Sequence, residues 1–275
     1  MRLCADTMAY GTDYSTDQLT IVDLTSNLTT GYVDNKWVSP CDDEAREEVF
    51  QTSQDPLFVS LGSTCEPAHM LRYCELRKFA FPFDWIVSFD GEALIEMLRN
   101  DFKNFLKDEY FVPYGLAGHL LNTYYHLEFL HEGDFNQEFD ENLEKLKHKY
   151  VRRIDRFKSL KYYRGKVFFI RYAYLYSTTD PNRFYKFEDN LEISKEYALR
   201  LHRSLKCIFP NLDFELIIIN RSESDRFQEQ EKAGIHVRMF TVYPNLELSK
   251  KIENYTDFFH TLINGDEAVK KNCVN

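Results

Sequence analysis

From residue 57 onward the chain alternates short apolar runs with longer stretches whose apolar residues recur at helical spacing. Leu57-Phe58-Val59-Ser60-Leu61, closed by Gly62, has the pattern of a strand buried on both faces. A helix is predicted directly after it, with Ala68, Leu71, Cys74 and Leu76 on one side and Arg77-Lys78 at its basic end. Phe79 to Trp85, which contains Pro82, reads as an aromatic loop. Leu94, Ile95, Leu98, Phe102 and Phe105 predict a helix from Glu92 to Leu106. Tyr124 to Leu130 partly alternates and reads as a strand ending near His131-Glu132-Gly133. Leu143, Leu146, Tyr150, Ile154 and Phe157 mark one face of a helix from Asn142 to Leu160, with Arg152, Arg153 and Arg156 on its other sides. Strands then follow at Val167–Ile170, Leu216–Ile219 and Ile235–Val242, with a helix from Leu191 to Phe209 between the first two.

Near-continuous apolar strands separated by helix-length connections suit a mostly parallel sheet covered on both faces. The predicted fold class is therefore α/β, a three-layer α/β/α sandwich. Residues 1–50 are polar, rich in Thr and Asp and weakly periodic, and they end in Asp42-Asp43-Glu44. They are expected to form an accessory, partly ordered segment, with residues 51–275 as the α/β domain.

Charge and cysteine usage narrow the functional classes. A formal net charge of −10 argues against a binder of phosphate backbones, which concentrates Lys and Arg, so no nucleic-acid partner is expected. No apolar run approaches the roughly 18–20 residues that span a bilayer, and the first residues do not resemble a secretion signal. No membrane association is expected, and the expected localisation is cytoplasmic. The six cysteines (Cys4, Cys41, Cys65, Cys74, Cys207 and Cys273) form no CxxC pair, a usage that fits reduced thiols rather than a disulfide scaffold. Neither a structural zinc site nor any cofactor is expected, and the pattern carries no signal for oligomeric state. The 23 Phe and 18 Tyr are expected mostly to fill the core.

Ligands of parallel sheets bind beyond the carboxyl ends of the strands, which nominates particular side chains. These are Ser63, Thr64 and Cys65 after the first strand, His131 and Asp134 after the second, Arg171 and Tyr172 after the third, and Asn220, Arg221 and Ser222 after the fourth. Of these, Ser63, Thr64, Arg171 and Asn220 are the candidate substrate-binding residues. Pro67 is tolerated only in a first helical turn, so Thr64 as N-cap would put Cys65 at the first helical position. There the helix dipole favours thiolate, and unpaired N–H groups face a developing oxyanion; a small buried cysteine at a tight turn is the bland alternative. His131, before the polar turn Glu132-Gly133-Asp134, is the preferred general base, with Asp84 or Asp134 to orient it. His69 lies four residues after Cys65 on the same helix face, where it would assist the thiol, since two ligands are too few for a metal. Asp257-Phe258-Phe259-His260 also offers a DxxH pattern that would pair with Ser63 as a nucleophile, and helical packing explains it as well.

The stretch Ser60-Leu61-Gly62-Ser63-Thr64-Cys65-Glu66-Pro67-Ala68, with Leu71-Arg72, Leu76-Arg77 and Phe81-Pro82-Phe83-Asp84-Trp85, resembles a family labelled putative papain-like cysteine peptidases. The likeness continues through Phe129-Leu130-His131, Arg152 to Phe157 and Phe168 to Arg171, over roughly residues 55–263. It implies a cysteine nucleophile at Cys65, a histidine at His131, Asp84 of the Pro-Phe-Asp-Trp motif as orienting acid, and a peptide or protein substrate. It also implies a papain-like α+β fold as the alternative to the parallel sandwich. The residues alone keep two rivals open. One is a nucleotide- or sugar-nucleotide-binding protein, such as a glycosyltransferase, whose Gly62 turn receives a phosphate that Arg171 neutralises. The other is a non-catalytic interaction domain.

Overall fold

The computed structural model describes residues 32–33, 36–37, 52–88, 90–114, 119–132, 137–173, 193–222, 226–230, 233–243 and 246–264. Tyr32–Val33 and Lys36–Trp37 pair as a short antiparallel ladder; the rest of the proposed accessory segment lies outside the described residues. In chain order the main elements are β1 (Leu57–Ser60), α1 (Glu66–Tyr73), α2 (Gly91–Arg99), β2 (Phe111–Tyr114), β3 (His119–Asn122), β4 (Leu127–Phe129), α3 (Phe139–Lys158), β5 (Val167–Tyr172), α4 (Lys195–Ile208), β6 (Phe214–Arg221), β7 (Gln228–Glu229), β8 (Val237–Val242) and α5 (Leu248–Asn264).

β1, β5, β6 and β8 are parallel neighbours in that order, and the two-residue β7 closes the far edge antiparallel to β8. The continuous apolar runs behave as a doubly covered sheet requires. Leu57, Val59, Val167, Phe169, Leu216 and Ile218 point into one core with α2, α3 and α4. Phe58, Phe168, Ile170, Ile217 and Ile219 point into a second core with α1 and α5. The architecture is thus α/β/α with a mostly parallel sheet, not a papain-like α+β arrangement.

Three predicted elements come out differently. The helix from Glu92 stops at Arg99, because Asp101 and Phe102 adopt left-handed dihedrals (φ 57° and 61°) and Phe102 N bonds back to Met97 O at 3.0 Å. This is a Schellman-type close that turns Phe102 and Phe105 into the core without helix. Tyr124 to Leu130 supplies only the short β4, which joins β2 and β3 in a separate antiparallel sheet. Its first half is a turn: Asn122 Oδ1 accepts from Tyr124 N and Tyr125 N at 3.1 and 2.9 Å, and His126 has φ 54°. Half-buried alternation does not say which sheet a strand joins. The last predicted strand begins at Val237, since Gly234 to His236 form a turn with Ile235 fully outward. The Asp257-His260 segment lies within α5, where Phe258 and Phe259 are buried and His260 faces out.

The small sheet sends Phe111, Leu120, Leu127 and Phe129 into the α2–α4 core. It is also stitched to the aromatic loop, as Val87 and Glu128 exchange backbone bonds at 2.9 and 3.1 Å. Phe157 of α3 lies at the centre of that core, with ring contacts to Phe81, Phe83, Phe102, Phe169 and Phe209 at 5.4–6.5 Å. Phe157→Ala is expected to lower the unfolding free energy by about 3–5 kcal/mol, read from the midpoint of a cooperative urea transition. A shift equivalent to less than about 1 kcal/mol would show that the neighbouring rings close over the void.

Candidate active site

Between β1 and α1 the chain passes through two left-handed residues, Gly62 (φ 71°) and Ser63 (φ 93°). Glycine is required at 62, where an added Cβ would stand 2.8 Å from Phe83 O. Ser63 is gripped from the side: its N–H donates to Ser88 Oγ at 3.2 Å, and its carbonyl accepts from Ser88 N at 3.0 Å. Thr64 Oγ1 then accepts from Glu66 N at 3.3 Å, and Cys65, half-buried, occupies the N-cap, one position earlier than the proline suggested. Cys65 stays beside the positive end of the α1 dipole. Because Glu66 N is engaged and Pro67 has no N–H, neither of the next two residues offers an uncommitted amide to an oxyanion.

α1 buries Pro67, Ala68, Met70 and Leu71. Its outer side therefore carries Cys65, His69 and Arg72, spaced as i, i+4 and i+7. His69 N donates to Cys65 O at 3.0 Å, and the His69 ring meets the edge of Trp85 at 4.8 Å between centroids. His131 meets the same indole at 6.1 Å between centroids, and Arg77 Cζ sits 5.2 Å from its centroid. The predicted aromatic loop thus places Trp85 in ring contact with two histidines, one from α1 and one from the turn after β4.

Asp84 precedes Trp85 in this loop. It is buried, and its Oδ2 accepts from Arg77 Nε and Nη2 at 3.0 and 2.8 Å and from Phe81 N at 3.0 Å. These bonds close the Phe81–Trp85 turn and steady Arg77 under the indole, so the carboxylate reaches the histidines through Trp85 and Arg77. Asp134 lies outside the described residues. The neighbour of His131 is instead Glu132, whose buried carboxylate accepts from Lys149 Nζ at 2.6 Å, Arg153 Nη1 at 3.0 Å and Tyr150 OH at 3.4 Å. Through Glu132 the His131 turn is bolted to α3.

The electrostatics favour neutral imidazoles. Burial, reinforced by His131, Arg72 and Arg77, lowers the His69 pKa to about 4. His131 is exposed at its turn, yet dehydration of its ring also lowers its pKa, with Glu132 pulling the other way. His119 on β3 is lowered as well, by burial and then by His131. Among the described residues no group of His, Cys, Asp and Glu is arranged to hold a metal ion.

The remaining candidates serve the framework around this site. Arg171 is buried and donates through Nη1 to Leu61 O (2.8 Å) and Ser88 Oγ (2.9 Å), and through Nη2 to Ser88 O. Asn220, fully buried two strands away from β1, pins Ile193 through N–H and carbonyl bonds at 2.8 and 3.2 Å and reaches Gln230 at 3.3 Å. Ser63 and Thr64 act through the turn bonds already described. Sequence reasoning missed Ser88 and Arg77, since a serine and an arginine in loop sequence carry no periodic signal. In the sequence Trp85 reads only as the end of an aromatic loop.

The lowered His69 pKa has a measurable consequence. In the unfolded chain the imidazole binds a proton below about pH 6.5, whereas the folded chain refuses it until about pH 4. Stability from this group is therefore full above pH 6.5 and declines as the pH falls toward 4. Between pH 7 and pH 5 it should cost the wild type about 2 kcal/mol that a His69→Gln variant does not lose. Urea unfolding of both chains at the two pH values tests this, and equal losses would mean that the folded His69 is freely protonated.

The family profile described as "Putative papain-like cysteine peptidase (DUF1796)" matches residues 56–224. A protein of Acanthamoeba polyphaga mimivirus, "Uncharacterized protein R408", is 30% identical over 141 residues, so that the likeness takes in 43% of this chain and 62% of that protein. The chain thus spans less than two thirds of that relative's length. No solved structure matches it significantly. Because the matched region covers more than half of the chain and includes Cys65, Asp84, His131 and Arg171, the protein belongs to the DUF1796 family, whose description is "Putative papain-like cysteine peptidase".

Proposed function

We propose that this protein is a cysteine-dependent hydrolase or acyl transferase acting on an amide, isopeptide or thioester of a peptide or protein, with Cys65 as nucleophile and His131 as general base. The observation that carries the reading is the convergence on Trp85 of His69, one turn beyond Cys65, and His131, both favoured in the neutral form. In the acylation step the thiol proton passes to the His131 imidazole as sulfur attacks the carbonyl carbon. The tetrahedral intermediate collapses with the imidazolium proton delivered to the leaving amine, alkoxide or thiolate, leaving an acyl-thioester on Cys65. Water, deprotonated by the same imidazole, or an acceptor amine then releases the acyl group and restores the thiol. Asp84 and Glu132 take positioning roles, the first beside Trp85 in its loop and the second beneath the His131 turn.

The phosphate-binding alternative gains less support, because the Arg171 donors that would neutralise a phosphate are turned onto Leu61 and Ser88 within the protein. No described helix is long and apolar enough to cross a membrane, and we place the protein in a reducing compartment that keeps Cys65 as a thiol.

Cys207 is exposed, and Cys74 is half-buried with its thiol pKa pushed up by burial, so both serve as internal references for reactivity. At pH 7 Cys65 is expected to react with iodoacetamide several-fold faster than Cys207, since a neutral imidazole beside it takes the thiol proton as sulfur attacks. Peptide mass spectrometry reads the three sites in one sample. His131→Ala should remove most of the advantage and His69→Gln less of it. Labelling of Cys65 no faster than Cys207 would sink the nucleophile assignment.

A further inference from the structure

Arg171 presents a buried charge that the mechanism above leaves unused. It sits at the carboxyl end of β5, beside β1, and only 3% of its surface is exposed. Buried guanidinium groups are ordinarily paired with a carboxylate, because dehydrating an uncompensated charge is costly. Among the described residues Arg171 bonds to none. Its acceptors are the Leu61 carbonyl, the Ser88 hydroxyl and the Ser88 carbonyl, all neutral. Asp90 and Tyr197 are near enough to favour its charge, but Asp90 is committed to the Ala93 N–H at the start of α2 and to His126 at 3.5 Å, and Tyr197 OH donates to Gly91 O.

All three acceptors belong to the segments that shape the Cys65 turn. Leu61 begins it, and Ser88 grips Ser63 through both its hydroxyl and its backbone N–H. Ser88 Oγ accepts from Ser63 and from Arg171 together, so the guanidinium fixes the hydroxyl that fixes the strained residue. We propose that Arg171, acting through Ser88, is the positioning residue of the Cys65 site: it holds the left-handed Gly62–Ser63 turn that aims Cys65. This rests on Cys65 being the nucleophile.

Other charged groups face the head of α1. They are Glu66, paired with Lys251 of α5 at 2.9 Å, then His69 and Arg72 on α1 itself, Arg77 with Asp84 from the aromatic loop, and His131 with Glu132 from the β4 turn. None is altered by the variants that test the proposal, which are Arg171→Gln, Arg171→Lys and Ser88→Ala in the full chain. Far-UV circular dichroism and a cooperative melt establish which of them fold, and Cys65 alkylation is followed from pH 5 to 9 by peptide mass spectrometry. Arg171→Gln should slow the limiting high-pH rate several-fold, and Arg171→Lys, which keeps a cationic donor, should restore part of it. Ser88→Ala, which keeps the guanidinium, should slow the same limiting rate several-fold, because Ser63 loses its side-chain acceptor. Folded variants whose Cys65 reacts as in the wild type overturn the inference. If neither Arg171 variant folds, Ser88→Ala decides alone, and an unchanged limiting rate counts against it. A wild-type Cys65 no faster than Cys207 overturns the nucleophile reading and this inference with it.

Discussion

The chain leaves β1 and enters α1 through consecutive left-handed residues at Gly62 and Ser63, and much of the site depends on that turn being held. A side chain in this region of dihedral space costs of order 1–2 kcal/mol, which Gly62 escapes and Ser63 does not. The bonds from Ser88 to both backbone groups of Ser63 offset the cost, and Arg171 fixes Ser88 in turn. Phe83 O packs where a Cβ on Gly62 would stand, so the aromatic loop and the turn are fitted to one another. Were the turn to relax, α1 would start at another angle, and the stripe carrying Cys65 and His69 would no longer face Trp85.

The loop from Phe79 to Ser88 joins this turn to the rest of the molecule by alternating its side chains between two tasks. Phe81 and Phe83 are driven into the core against Phe157, while Asp84 is dehydrated beside Arg77 and Trp85 is left at the surface with the histidines. Removing one partner of the Arg77–Asp84 pair would strand a buried charge, which makes the motif costly to rearrange. The Pro-Phe-Asp-Trp segment is thus architectural through Phe83 and Asp84, and through Trp85 it forms a wall of the candidate site.

Strong periodic signals explain which parts were legible in the sequence. The four parallel strands and the helices α3 and α4 follow from apolar runs and helical spacing, because burial on both sheet faces imposes those patterns directly. β2 and β3 went unread: Phe111-Val112-Pro113-Tyr114 contains a proline, and each strand is too short for its alternation to stand out. Cys65 was conspicuous through its glycine, its proline and its place after a buried strand, and His131 through its polar turn. Ser88, Arg77 and Glu132 became visible only in three dimensions, as their partners Ser63, Asp84 and Arg153 are 25, 7 and 21 positions away. Arg171 was read as a ligand group since it ends a strand, and only its three internal acceptors assign it to the framework.

On the proposed reading, protonation sets the kind of cysteine chemistry available. A resting thiolate–imidazolium pair needs an imidazole that holds its proton more tightly than the thiol does. Here dehydration lowers both histidines, and the positive charges of Arg72 and Arg77 lower His69 further. Their proximity adds to this, as a proton on His131 raises the cost of one on His69. At neutral pH both rings are therefore neutral, and the thiol proton is not parked on either of them beforehand. His131 must then take that proton during attack, while Glu132 at its back favours the imidazolium that forms. The anion developing at sulfur draws its stabilisation from a fixed feature, the positive end of the α1 dipole at whose N-cap Cys65 stands. A site of this kind is arranged for general-base catalysis by a neutral imidazole, with His69 kept neutral beside it so that a second positive charge does not oppose the transfer.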